Sequence, residues 1–358
     1  MEINFIVPSI KTGGGYRVIQ EIANILSLEH DVTIHSANDG TDNTFYKAKT
    51  LKFKKYGPLI KHKYFRMILM LYMLFLNRNK KNVIVSGSVL LPFLFIFKNA
   101  FYYVQADDYH LFDDRRLIKN RFLLWLYHLT VKRGFKYKNL KYLFCSKWVY
   151  EKYIDIAKRN DVPCRLVYPA ISHNLFFKKN IEDFSKEEII IGVVGRRQPM
   201  KGLKEFLLAV KNLKKSNKFS FKVIIAAPES LDNVNLEDIV IVYPKTDTEL
   251  ADFYRSCDIF ASTSWWEGFG LPALEAMACG CAVITSNNGG CVAYAKNGIN
   301  CLIYEAKNSK SLEDKISYLL ENKSVRESIA NEGIKTSKAF SWNSSAYNLY
   351  KILKESNK

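Results

Sequence analysis

The stretch from Asp258 to Gly280 constrains this chain more than any other. Asp258 to Ser264 starts short and apolar, which reads as a buried strand. Trp265-Trp266-Glu267-Gly268-Phe269-Gly270-Leu271 comes next as a glycine-bearing loop, and Pro272 to Gly280 reads as a helix. Pro272 suits the first helical position, where its missing N–H costs nothing, and Gly280 suits the C-terminal cap. Gly268 and Gly270 allow close backbone approach, so the amides of Phe269, Gly270 and Leu271 can point at phosphate oxygens. Glu267 sits in the loop and Glu275 eight positions on, inside the helix, where it could accept hydrogen bonds from vicinal hydroxyls. A plainer reading makes Glu267 a surface residue and Glu275 a complement to the helix N-terminus. The flanking glycines, the proline start and the Ala-Met-Ala-Cys-Gly ending weigh against it.

Related units occur elsewhere. Ile189 to Gly195 reads as a strand, followed by the loop Arg196-Arg197-Gln198-Pro199-Met200-Lys201-Gly202 and a helix from about Leu203 to Leu213. At the start of the chain, strand Ile3 to Val7 is followed by Gly13-Gly14-Gly15, a helical spacing from Val18 to Leu28, and a strand at Asp31 to His35. Val83 to Ser86, Phe101 to Val104, Lys222 to Ala227, Ile239 to Tyr243 and Ala282 to Thr285 read as further strands. Strands alternating with helices argue for parallel α/β sheets, whose ligands bind beyond the carboxyl ends of the strands. A length of 358 residues suits two domains. The polar run 177–187 reads as the linker, giving domains 1–180 and 181–341, and Trp342 to Lys354 reads as a final helix.

The segment Glu267 to Gly280 resembles the Glu-x7-Glu signature of family 4 retaining glycosyltransferases. Val283 to Gly290 and Asn297 to Leu302 are similar to the family's segments downstream of that signature, and the weaker likeness covers almost the whole chain. The resemblance implies an α/β fold of the GT-B type, two Rossmann-like domains facing a central cleft, with the helix at about 342–358 packing back on the first. Gly195 to Gly202 resembles the family's Gly-Arg…Lys-Gly motif, which implies that Arg196 and Lys201 hold a donor diphosphate. Two fixed cations and helix amides can stabilise a departing diphosphate without a metal, so no cofactor is expected. By the same resemblance Gly14 and Gly15 approach the donor phosphate or sugar. Glu275 would bind ribose and Glu267 the sugar near the reacting centre, with Gly268, Phe269, Gly270 and Leu271 completing the donor site. Tyr102 to His110 ends another strand where family members contact the transferred sugar. Gln105, Asp107, Asp108 and His110 are the candidates there, and Asp107 is preferred. Val167 to Ser172 departs from the family's Asn-Gly-Ile-Asp segment, carrying Ala170 and Ser172 in place of Gly and Asp.

Charge separates the halves. The net charge is +18, and residues up to 180 hold 30 Lys and Arg against 13 Asp and Glu. That excess points to a polyanionic partner. Met67 to Leu76 is ten apolar residues, about 15 Å of helix, too short to span a bilayer. Its flanks, Lys61, Lys63, Arg66, Arg78, Lys80 and Lys81, suit an interfacial segment. An ordinary core helix with solvated lysines is the alternative. Seven scattered cysteines fit buried thiols in a reducing compartment, and Cys279-x-Cys281 has no second pair of metal-ligand spacing. Met1 to Pro8 lacks the basic start and cleavage site of a signal peptide. The expected protein is therefore cytoplasmic and peripheral on the inner face of the cell membrane. It would take a nucleotide-sugar donor and a saccharide or lipid-linked acceptor, and no nucleic acid, since no recognition module is visible. The expected activity is hexosyl transfer with retention in cell-surface polysaccharide or glycan assembly. A nucleotide-sugar epimerase of the same architecture is the competing reading.

Overall fold

The computed structural model describes residues 1–10, 13–42, 45–60, 62–110, 112–113, 120–179, 188–231 and 239–357, with 63 and 64 by backbone alone. Most of the expected linker, 180–187, lies outside the described residues, as does Lys61.

Two compact units result, Met1–Ala170 with Trp342–Lys358, and Ile171–Ser341. The first contains β1 (Glu2–Val7), α1 (Gly14–Leu26), β2 (Asp31–Ala37), β3 (Lys52–Tyr56), α2 (Lys63–Asn77), β4 (Val83–Val85), β5 (Ala100–Val104), α3 (Arg121–Gly134), β6 (Leu140–Phe144) and α4 (Lys147–Ala157). The second contains β7 (Ile189–Val194), α5 (Leu203–Lys215), β8 (Phe221–Ala226), β9 (Ile239–Val242), α6 (Asp247–Ser256), β10 (Ile259–Ser262), α7 (Leu271–Cys279), β11 (Ala282–Ser286), β12 (Leu302–Tyr304), α8 (Ser309–Glu321) and α9 (Lys323–Ser337). The last helix, α10 (Trp342–Glu355), returns to the first unit. Its Ser345 Oγ donates to Tyr168 O at 2.6 Å, and Ala346, Leu349 and Leu353 are buried.

Each unit has one six-stranded sheet, and the two orders are equivalent: β3-β2-β1-β4-β5-β6 and β9-β8-β7-β10-β11-β12. All the pairings are parallel, and the central strands are mostly apolar because helices cover both faces. Ile191, Val193, Val223, Ile225, Ile259, Ala261, Ala282 and Ile284 form the strand layer of the second core. In both sheets the chain winds outward from the first strand and then restarts on its other side. The switch points therefore lie between β1 and β4 and between β7 and β10, and loops leaving these strands frame a ligand crevice.

Three expectations need correction. The junction falls after Ala170, not at 180, because the chain has joined the second unit by then: Arg255 Nη1 donates to Leu175 O at 2.8 Å and Phe176 packs on Tyr254. Helix α1 starts at Gly14 instead of Val18, so Gly13 caps the helix and Gly14 and Gly15 open it, in place of a loop before it. Pro272 is the second residue of α7; Gly270 caps the helix in the left-handed region (φ 89°) and Leu271 opens it.

A buried polar chain joins four elements of the first unit. His35 on β2 pairs through Nε2 with Asn4 Oδ1 on β1 and through Nδ1 with Tyr56 Oη on β3, each at 2.9 Å. Asn77 at the end of α2 donates to Tyr56 Oη at 3.0 Å and to Met73 O at 2.7 Å. Asn4 Oδ1 can only accept, so Nε2 carries the proton and Nδ1 accepts from Tyr56. Burial, with Lys80 and Lys54 adding repulsion, pushes the His35 imidazole down to about 4. The unfolded chain takes up this proton near 6.5 and the folded chain does not, so stability is lost as pH falls from 6.5 toward 4, by on the order of 3 kcal/mol. In urea titrations the stability gap between the wild type and His35→Gln should narrow by about 2 kcal/mol between pH 7 and 4.5; a constant gap would refute the assignment.

The backbone of the second unit holds a still closer contact. Gly202 lies at φ 68°, and a Cβ there would stand 2.0 Å from Thr263 O. Gly202→Ala should lower the urea stability by roughly 3 kcal/mol, combining left-handed strain with a collision against main chain. A loss below 1 kcal/mol would mean that the two loops part without cost.

Candidate functional site

The loops leaving β7 and β10 are joined by main chain before any side chain is considered. Trp265 N donates to Met200 O and Thr263 Oγ1 donates to Lys201 O, both at 2.7 Å. Lys201 ends a single 3-10 turn (Pro199–Lys201) that Gly202 closes. On this frame Lys201 Nζ reaches Glu267 Oε1 at 2.6 Å, with side chains 26% and 20% exposed. The pair is thus sheltered but still open to a guest. Burial acts to raise the Glu267 carboxyl; the Lys201 ammonium, a Ser264 hydrogen bond and the Arg196 charge outweigh it and hold the group below the usual carboxylate range. Arg196 and Arg197 divide their tasks. Arg197 is tied to the next loop, its N donating to Glu229 Oε1 and its Nε to Ser230 O, whereas the Arg196 charge acts on Glu267.

The Glu267 loop is held from behind. Glu267 N donates to Asn288 O at 3.0 Å, and a Cβ on Gly290 would stand 2.5 Å from Glu267 O and Phe269 N. Tyr294 Oη donates to Gly270 O at 2.6 Å, and the Phe269 ring packs between Tyr294 and Phe340. Gly268, Phe269, Gly270 and Leu271 therefore enter α7 along a fixed path, with the positive end of the helix directed at the switch point. Glu275 lies deeper than the sequence suggests. It is 4% exposed, and its Oε2 accepts from Tyr254 Oη at 3.0 Å. Its spacing from Glu267 is as read, but the surface around it is mostly protein.

In the first unit the corresponding switch point carries Gly14 and Gly15 at the start of α1. A Cβ on Gly14 would meet nothing within 4 Å, and one on Gly15 would meet Gln105 Oε1 at 3.5 Å. Gln105 Nε2 donates to Ser86 Oγ at 2.8 Å, so the ends of β4 and β5 are cross-linked there. Asp107 is buried and accepts from His110, at 3.2 Å from the amide and 2.7 Å from Nδ1. Asp108 is buried too. Tyr102 Oη donates to its Oδ2 at 2.6 Å, and Tyr127 Oη donates to its main-chain carbonyl. Burial pushes the Asp108 carboxyl up to about 7, the Tyr102 bond opposing and the Asp107 charge assisting.

Sequence reading missed Ser264, Asn288, Tyr294 and Tyr254, all of which act through the structure on Glu267, Gly270 or Glu275. Only Asn288 and the Gly289-Gly290 doublet carry a local signal, a turn dipeptide just past a strand. Among the described residues, no group of three or more His, Cys, Asp or Glu is placed to hold a metal ion, and no helix is long and apolar enough to cross a membrane. All seven cysteines are free thiols, and all but Cys164 are buried.

The assembled site offers two cations, a helix N-terminus and a fixed carboxylate at one switch point, which suits an anionic ligand bearing hydroxyls. Comparison with known proteins agrees. Residues 176–336 match the family described as Glycosyl transferases group 1. A Campylobacter jejuni protein named N,N'-diacetylbacillosaminyl-diphospho-undecaprenol alpha-1,3-N-acetylgalactosaminyltransferase is 32% identical over 167 residues, 46% of this chain and 43% of that one. The chain spans about half the length of the curated relatives it matches. Two solved structures share the fold along nearly the full length. Sucrose-phosphate synthase from Thermosynechococcus elongatus has a TM-score of 0.78 at 14% identity, covering 99% of this chain and 98% of the other. HepE from Anabaena, in complex with UDP-glucose, has a TM-score of 0.76 at 15% identity, covering 99% and 100%. The matched segment lies wholly inside the second unit, and the whole chain has the GT-B fold.

Proposed function

We propose that the protein transfers a sugar from a nucleotide-diphosphate donor, with retention and without a metal, to a saccharide acceptor carried on a lipid. The observation that carries this reading is the Lys201–Glu267 pair at the β7/β10 switch point, beside Arg196 and the start of α7. The acceptor hydroxyl attacks the anomeric carbon from the leaving-group face. The C1–O bond to phosphate breaks with its electron pair leaving on the diphosphate, and the hydroxyl proton passes to a phosphate oxygen. Arg196, Lys201 and the Phe269 to Leu271 amides receive the growing negative charge, which is where preorganised donors contribute most. These two side-chain cations make a divalent ion unnecessary for that task. Glu267 holds Lys201 and contacts the sugar; Glu275, fixed by Tyr254, meets the ribose. Gly14 and Gly15 take the donor phosphate or transferring sugar, and Asp107, fixed by His110, contacts the transferred sugar.

The lipid-linked acceptor and a place in cell-surface polysaccharide or glycan assembly are supported by the Campylobacter relative, whose name specifies a diphospho-undecaprenol substrate. The basic first half supports a position on the anionic inner face of the cell membrane. A panel of nucleotide sugars, incubated with and without membrane lipid extract, tests the whole reading. Free nucleoside diphosphate that rises only with lipid supports it, and recovery of an epimerised donor would sink it. The anomeric configuration of the product, read by NMR, tests retention, and undiminished turnover in excess chelator tests metal independence.

Lys201→Ala removes one counter-charge and leaves the sheltered Glu267 carboxylate with only the Ser264 hydrogen bond and the Arg196 charge to offset it. Nucleoside diphosphate affinity, measured by calorimetry, should fall on the order of 10- to 100-fold. The double variant Lys201→Ala/Glu267→Gln should recover part of that loss, because that negative charge then no longer faces the phosphate. Equal affinity in the wild type and Lys201→Ala would remove Lys201 from the site.

A further inference from the structure

Helix α2 is apolar over most of its circumference, yet only half of it is covered. Leu69, Met70, Met73, Leu74 and Asn77 are buried toward the sheet. The opposite stripe, Phe65, Ile68, Tyr72, Phe75 and Leu76, is 47 to 60% exposed. These positions repeat at three- and four-residue intervals and so lie on one face. Helix α3 repeats the pattern with Phe122, Leu123, Trp125, Leu126 and Leu129, 40 to 65% exposed, and Phe122 stacks on Trp125 at 5.8 Å. Both helices pack against the same 3-10 segment, Leu91–Ile96, whose Phe95 is 62% exposed. Most of the exposed large hydrophobic side chains of the first unit thus gather on α2, this segment and α3. Single exposed apolar residues need no explanation, whereas a contiguous patch marks something that covers it.

The charges around the patch indicate what does. Neither helix contains an acidic residue, while Arg66, Arg78, Arg121, Lys132 and Arg133 belong to them or adjoin them directly, and Lys80, Lys81, Lys136 and Lys138 come next in sequence. The Arg78 guanidinium carbon lies 3.7 Å from the centre of the Phe75 ring and its Nη1 donates to Phe75 O at 2.7 Å, which places a cation directly against the apolar stripe. Aromatic and aliphatic side chains flanked in sequence by cations, of which Arg66 and Lys80 also pair with Asp39 and Glu2, match the boundary between acyl chains and anionic headgroups, where such a face sinks about 5–10 Å.

We propose that α2, the 91–96 segment and α3 form one face that inserts into the headgroup layer of an anionic bilayer. It rests on the membrane reading of the proposed function but goes beyond net charge, because it requires apolar insertion at named positions. Vesicles of phosphatidylglycerol and phosphatidylcholine test it, with and without lipid brominated on the acyl chain. Trp125 is 57% exposed on α3, while the other four tryptophans are buried or partly buried. Wild-type fluorescence should therefore be quenched by the brominated vesicles, and Trp125→Phe should abolish most of the quenching while vesicle binding persists. Ile68→Ser/Phe75→Ser and, separately, Phe122→Ser/Leu126→Ser should each lower vesicle partitioning by about tenfold or more. Near-wild-type urea stability and unchanged nucleoside diphosphate affinity would show these variants to be folded.

Vesicle binding without quenching, or binding untouched by the serine substitutions, overturns the proposal in favour of surface charge alone. A wild-type dimer that the same substitutions dissociate, with vesicle binding intact, assigns the face to a second copy and also overturns it. Wild-type protein that binds and is quenched, yet has no affinity for nucleoside diphosphates, sinks the glycosyl-transfer reading and leaves this face standing.

Discussion

The approach of Gly202 to the carbonyl of Thr263 is the contact on which the second unit's site depends. It brings the loops after β7 and β10 within main-chain hydrogen-bonding distance, and Met200–Trp265 and Lys201–Thr263 bonds then fix their register. Only after that does the Lys201 side chain have a defined partner. An ion pair by itself is a poor organiser, since desolvation cancels much of its attraction and two flexible side chains lose entropy. Here the backbone has already placed the two Cα atoms, and only the last rotamers of Lys201 and Glu267 remain to be ordered. The 2.6 Å contact is the product of the frame.

How much of this the sequence displays depends on where each strand sits. Inner strands such as β7, β10 and β11 are buried on both faces and appear as short, mostly apolar runs, and β1 does so apart from Asn4. The three strands left unassigned, β3, β6 and β12, are all edge strands. β3 reads Lys-Phe-Lys-Lys-Tyr, the lysine-rich form that discourages pairing with another chain, and β12 is only three residues long. Their place is set by neighbours and not by their own pattern. The same division holds at the site. Glu267, Arg196 and Lys201 stand in short local motifs and are legible as candidates. Tyr254 and Tyr294, which hold Glu275 and Gly270, lie 21 and 24 positions away from their partners, and nothing in either tyrosine's neighbourhood announces the bond.

Glu275 shows how spacing can be right and its consequence only partly so. Five residues into α7 it does face back toward the loop's end of the helix, but α7 is a central helix whose residues from Ala273 to Cys279 are all buried. The carboxylate is therefore embedded in protein, with Tyr254 supplying a donor at 3.0 Å. A buried carboxylate without hydrogen bonds is costly, so its partner is as much part of the site as the acid itself. Asp107 and Asp108 divide in a similar way. Adjacent in sequence, they turn to different partners, Asp107 to His110 and Asp108 to Tyr102, and burial displaces the Asp108 carboxyl upward, to about 7.

The Lys201–Glu267 pair poses a final question of arithmetic among donors. An ammonium has three N–H groups and Glu267 Oε1 takes one of them. An anion arriving at the switch point can engage the other two without breaking the pair, so the carboxylate need not compete with it for the cation. Its negative charge does oppose the anion, and that cost is reduced by what already neutralises it: Lys201, the Ser264 hydrogen bond and the Arg196 charge. Removing the carboxylate would relieve the repulsion but also free a flexible four-carbon side chain from the partner that directs it. Glu267 thus acts first on Lys201, by aiming it, and this effect precedes any contact the carboxylate makes with a bound sugar.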